Sequence, residues 1–77
     1  MTWNYQKLLG RIKEMCGTQD NFAEQLGINR SSLSQRLNNR LEFTQNEIFK
    51  ACDILSIPME EMEAYFFNQK DWKNQTF

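Results

Sequence analysis

Apolar residues recur along this chain at three- and four-residue steps, the spacing of amphipathic helices and not the alternation of strands. Tyr5, Leu8, Leu9, Ile12 and Met15 predict a first helix over residues 5 to 15 with one apolar stripe. Gly10 lies inside it, where glycine costs about 1 kcal/mol relative to alanine, and close packing against a neighbouring helix is the expected reason. Gly17 stops this helix and Thr18 is placed to cap the next. Phe22, Ala23 and Leu26 mark a second helix over residues 19 to 26, ended by Gly27, which is free to take the positive φ of a tight turn. Asn29 is a strong N-cap, and Leu33 and Leu37, four apart, are the inward face of a third helix over residues 30 to 37. Asn38-Asn39 ends it, Asn39 being suited to the left-handed conformation that glycine more often fills.

Thr44 and Glu47 form a capping box before Ile48, Ala51, Cys52 and Leu55, a fourth helix of about 11 residues. Pro58 suits the first turn of a fifth, with Glu60 and Glu61 near its positive end and Met59, Met62 and Phe66 inward. The fold class expected is all-α, five short helices without a strand, in one domain over residues 1–67. A tail over residues 68–77 lacks periodicity yet carries Trp72 and Phe77.

At 77 residues a two-domain enzyme is excluded. A chain of this size buries only about 60 to 65% of its unfolded surface, so one compact core must hold it, a second subunit being an optional support. No apolar run approaches the roughly 20 residues of a membrane span, and the start lacks the basic and apolar stretches of a signal peptide. A cytoplasmic protein without a membrane partner is expected.

The chain has no histidine and two cysteines, Cys16 and Cys52, which leaves no usable metal-ligand set and no His-dependent triad. Both thiols read as reduced core residues. With no nucleophile–base pair and no phosphate-binding loop, neither catalysis, a cofactor nor a small-molecule ligand is expected.

Net charge is −1, but its distribution says more. Residues 1–50 hold seven Lys/Arg against five acids, whereas residues 51–77 hold two lysines against five acids. A locally basic surface on the first part is compatible with a polyanion, with the acidic last part turned away.

The most informative stretch is residues 18–40, TQDNFAEQLGINRSSLSQRLNNR. Ala23 is small where two helices cross, Gly27 supplies the turn, and Phe22, Leu26, Ile28 and Leu33 close a miniature core beneath, so that the second helix of the pair projects from the body. The combination of Gln19, Phe22, Ala23, Leu26, Gly27, Ile28 and Leu33 resembles the helix-turn-helix of phage Cro and repressor proteins and their bacterial relatives. The similarity covers roughly residues 5 to 67 of that five-helix, lambda-repressor-like fold. Asn38-Asn39-Arg40, Phe43-Thr44 and Tyr65-Phe66-Phe67 are further similar to short regulators encoded in prophages of Gram-positive bacteria.

That resemblance implies a DNA-binding transcription regulator of the bacterial host cell, a Cro-like repressor that occludes an operator in double-stranded DNA. At the matching family positions, Arg30, Ser31, Ser34 and Gln35 are expected to read base edges. Stepping about 100° per residue from Leu33 turns Ser31, Ser34 and Gln35 outward. Arg30 falls nearer the inward side but reaches past the helix end. Backbone contacts are expected from Gln19, Asn29, Arg36, Asn38, Asn39 and Arg40. Arg36 departs from the pattern, standing where the family most often has an apolar contact, and Glu42 or Glu24 is an alternative partner for it.

One such domain offers few phosphate contacts, so a homodimer on half-sites about 34 Å apart is expected. Tyr65, Phe66, Phe67, Trp72 and Phe77 are the candidate dimer contacts, the competing use of these aromatics being to fold back onto the first helix beside Trp3. A reading of another class remains: a protein-interaction module, or an antitoxin-type autoregulator, built on the same helix-turn-helix frame, with the acidic half in place of a DNA contact.

Overall fold

The computed structural model describes residues 2–69. Five α-helices follow in order: α1 (Gln6–Cys16), α2 (Gln19–Leu26), α3 (Arg30–Leu37), α4 (Gln45–Ile54) and α5 (Met62–Phe66), the last preceded by a 3-10 turn, Met59–Glu61. Among the described residues no strand forms; Trp3 and Gln69 pair as an isolated antiparallel bridge, and the Asn4 amide donates to the Asn68 carbonyl at 2.6 Å. No described helix is long and apolar enough to cross a membrane.

Local chemistry sets the helix ends. The hydroxyl of Thr18 accepts from the Asn21 amide at 3.1 Å, and the side chain of Asn29 accepts from the Ser32 amide at 2.7 Å. Gly27 closes α2 in the left-handed region, at φ 89°, with its amide donating to the Ala23 carbonyl. Thr44 and Glu47 make the full reciprocal capping box of α4. Asn39 takes φ 65° after α3, as its short polar side chain allows.

Phe22, Ala23 and Leu26 of α2 meet Leu8 and Ile12 of α1, Leu33 of α3, and Ile48, Ala51 and Cys52 of α4 in one core. Tyr5, Phe43 and Phe66 extend it as a chain of edge-to-face rings, with centroids 5.7 and 5.4 Å apart. Cys52 is buried and Cys16 half-buried, both as free thiols, and burial pushes both up from the ordinary thiol range.

Several expectations change in three dimensions. In α1 the inward series is Leu8, Ile12 and Cys16, four apart, which carries Met15 onto the outer face. Gly10 also lies outside, and a Cβ there would meet nothing within 4 Å, so close packing does not account for it. Met59 is exposed, because the 3-10 turn shifts the phase of the segment and leaves Met62, Tyr65 and Phe66 to face inward. Tyr65 and Phe66 are core residues, 8% and 1% exposed, and are not available as dimer contacts. They fold back towards the start of the chain: the Lys7 ammonium lies over the Tyr65 ring, and Phe67, exposed, sets its edge against Trp3. Trp72 and Phe77 lie outside the described residues.

Side-chain hydrogen bonds tie distant parts of the chain together. The guanidinium of Arg11 donates from Nε to the Leu55 carbonyl at 2.8 Å and from Nη2 to the Ser56 carbonyl at 3.1 Å, capping the end of α4 from α1. The Asn39 side chain accepts from the Trp3 amide at 2.8 Å and donates to the Trp3 carbonyl at 3.1 Å. Arg36 donates to both carboxylate oxygens of Glu47, at 2.8 and 3.2 Å, where both side chains are largely buried. Burial works to raise the Glu47 pKa, but hydrogen bonds from Arg36 and Thr44 and the Arg36 charge together hold it below its ordinary value of 4.5.

Three stability changes are expected. Gly10→Ala adds about 1 kcal/mol in urea unfolding, since the methyl enters open space in a helix interior; a loss would contradict the geometry. Asn39→Ala removes both bonds to Trp3 and strains a positive φ, costing about 2 kcal/mol, with Asn39→Gly costing less. Glu47→Gln costs about 2 kcal/mol at neutral pH. Because the native carboxyl titrates below its unfolded value, the stability it contributes is present above the ordinary value of 4.5. It is lost as pH falls through the native pKa. The gap between wild type and Glu47→Gln in urea melts therefore closes on acidification, and a gap independent of pH would disprove the linkage.

Candidate functional site

α2 and α3 are joined by the tight turn at Gly27 and held together by the buried side chains Phe22, Ala23, Leu26 and Leu33. Its outer side presents the side chains singled out from sequence, but they differ in what they already touch. Ser31 and Gln35 are exposed on α3, at positions four apart and therefore on one face. Ser34 is half-buried, and its carbonyl and hydroxyl accept from the Asn38 side chain at 2.8 and 3.3 Å. Arg30 is exposed and donates to Asp20 across the pair at 3.0 Å. With its two side chains 52% and 70% exposed, this ion pair contributes about 1 kcal/mol or less and exchanges readily with another anion.

The group expected to hold a polyanion backbone is also divided. Gln19 is half-buried at the start of α2, beside a shallow groove shared with Lys13, Thr18 and Arg30. Asn29 uses its side-chain oxygen as the cap of α3. Arg36 is not a free phosphate contact: Glu47 takes its Nε and Nη2, and the Ser32 carbonyl takes Nη1 at 3.0 Å. Neither Glu42 nor Glu24 is its partner; the guanidinium reaches Glu47 in the first turn of α4. Asn38 closes the end of α3 and Asn39 is committed to Trp3. Arg40 is exposed, its backbone amide donating to the Gln35 carbonyl, and no ion pair forms there among the described residues.

Sequence reasoning missed two cations and two carboxylates that shape this side. Lys50, on α4, brings its ammonium to 3.5 Å from where a Cβ on Gly27 would stand, so it sits over the turn. Lys13 joins the groove at the start of α2. Asp20 and Glu47 neutralise Arg30 and Arg36. The capping box identified Glu47 as a cap, but no local signal pairs it with an arginine eleven residues earlier.

A second exposed feature lies on α4 and α5. Phe49, Met59 and Phe67 are 43%, 58% and 41% exposed, beside half-buried Met62. Apolar side chains clustered this way are uncommon on a monomer surface without a partner.

Comparison with known proteins adds the following. The solution structure of the modulator of repression (MOR) of the temperate bacteriophage TP901-1 from Lactococcus lactis superposes with a TM-score of 0.77. The two chains are 40% identical over 88% of this chain and 92% of that one. No curated protein gives a significant match. Residues 1–69 match the family described as "Protein of unknown function (DUF739)". That match spans nearly the whole chain, and the chain belongs to the DUF739 family.

Proposed function

We propose that this chain is a phage or prophage regulatory protein of the modulator-of-repression kind, a small all-α module built on a helix-turn-helix frame that acts by contacting a repressor protein. The observation that carries this reading is the 40% identity to the TP901-1 modulator of repression across 88% of the chain. The electrostatics support it. Arg36 is held inside the fold by Glu47, Arg30 is engaged by Asp20, and residues 51–69 carry four acids and no Lys or Arg. Binding a DNA backbone rests on several free Lys and Arg side chains that neutralise phosphates and release their counterions, and a protein surface makes no such demand.

A second reading keeps DNA as the partner, as in the Cro-type regulators the segment resembles. Exposed Ser31 and Gln35 favour it, together with the weak Arg30–Asp20 pair, which a guanine or phosphate would displace. In this reading a homodimer uses Arg30, Ser31, Ser34 and Gln35 for bases and Gln19, Asn29 and Arg40 for phosphates. Neither reading calls for a catalytic group or cofactor.

The two are separated by titrating the purified chain against the repressor encoded by the same phage and, in parallel, against operator DNA. Binding to the repressor in calorimetry, with no shift of operator DNA by the chain alone, is the expected outcome. A salt-sensitive operator complex whose sequence preference is relaxed by Gln35→Ala, with no repressor binding, would replace the protein-contact reading with the DNA one.

A further inference from the structure

Phe49 on α4 stands between two shallow grooves. Cys52, Asp53, Ile57 and Met59 line one; Phe43, Ile48, Met62 and Phe67 line the other. Phe49, Met59 and Phe67 project here beside half-buried Met62, so the face is made of aromatic rings and thioethers. These types supply interface cores because they bury large apolar area and, for methionine, repack to a partner's shape. Around them the charge has one sign. Asp53, Glu60, Glu61 and Glu63 are all exposed, and residues 51–69 contain no Lys or Arg. Of the cations on neighbouring elements, Lys50 lies by Gly27 of the α2–α3 turn and Lys7 over the Tyr65 ring, while Arg11, at the groove edge, is engaged by the Leu55 and Ser56 carbonyls and by Glu14. Ser56, whose carbonyl accepts from Arg11, marks the edge of the first groove.

We propose that the α4–α5 face, with Phe49, Met59, Met62 and Phe67 inside a rim of Asp53, Glu60, Glu61 and Glu63, docks an amphipathic helix of a partner protein whose apolar stripe is flanked by Lys and Arg. Two grooves split by a ring accept side chains spaced three and four apart, the mode in which an amphipathic helix lies in a groove. Four carboxylates that form no ion pair among the described residues select a basic flank and repel an acidic one. The inference rests on the protein-contact reading above and assigns it a surface distinct from the outer side of α3.

Calorimetric titration of the full chain against the purified repressor of the same phage tests it. Wild type, Phe49→Ser and the double variant Glu60→Lys/Glu63→Lys are compared, with a Gln35→Ala control on α3. The altered residues are exposed, so unchanged circular dichroism and melting are expected and are checked first. Each face variant is expected to weaken binding by at least about tenfold, and wild-type affinity to fall with salt, while Gln35→Ala changes little. If the folded face variants keep wild-type affinity, this surface assignment fails while the protein-contact reading stands; if wild type does not bind the repressor, both fail. Two other occupants would also overturn it. One is a second copy, revealed by concentration-dependent self-association that Phe49→Ser abolishes. The other is the chain's own tail, revealed if Trp72→Ala shifts the Met59 and Met62 methyl signals of the unbound chain.

Discussion

Burial of one face of α2 is the constraint on which the rest of this structure depends. An eight-residue helix has too few internal hydrogen bonds to persist alone, so its stability comes from what it packs against. Phe22, Ala23 and Leu26 are at most 3% exposed, and α2 contacts α1, α3 and α4. The methyl of Ala23 is the smallest side chain of this set, and it lies where the Gly27 and Ile28 amides return to donate to its own carbonyl. With α2 buried between three neighbours, the turn at Gly27 decides the direction of α3, and α3 decides what the protein shows to its surroundings.

Polar groups complete what the apolar core begins. The Glu47 carboxylate closes the capping box of α4 and also receives the Arg36 guanidinium of α3, so one side chain terminates a helix and fixes the angle of its neighbour. Asn39 ties the end of α3 to the chain's first residues, and Arg11 ties α1 to the end of α4. Each bond satisfies a backbone or charged group that would otherwise be stranded in partly dry surroundings, where a missing partner costs more than the bond itself contributes in water.

These closures shape function because they draw on the same residues that a DNA-reading surface would use. Arg36, Asn38 and Asn39 are engaged within the fold, and Arg30 faces Asp20, so α2 and α3 keep their arrangement while much of their free positive charge is cancelled. Acidic residues then concentrate beyond α4, around an exposed group of aromatic and methionine side chains. A regulator working through another protein has use for such a balance, since protein contacts reward apolar area and matched charge and not the number of neutralised phosphates.

The order and ends of the helices were legible in the sequence, because they follow from interactions within a few residues. Thr18, Asn29 and the Thr44–Glu47 box start helices, Gly27 and Asn39 stop them, and the spacing of Phe22, Leu26 and Leu33 names their buried sides. The outer position of Ser31 and Gln35 was legible for the same reason. What depended on how helices meet was not legible. The pattern of apolar residues did not distinguish Cys16 from Met15 as the inward residue of the last turn of α1, nor show that a 3-10 turn would leave Met59 outside. It did not show that Tyr65 and Phe66 are core, nor that Arg36 belongs to Glu47 and Asn39 to Trp3. Local spacing determines which side of a helix is apolar; only the packed arrangement determines which distant group meets each side, because those partners lie far apart along the chain and are brought together by the shared core.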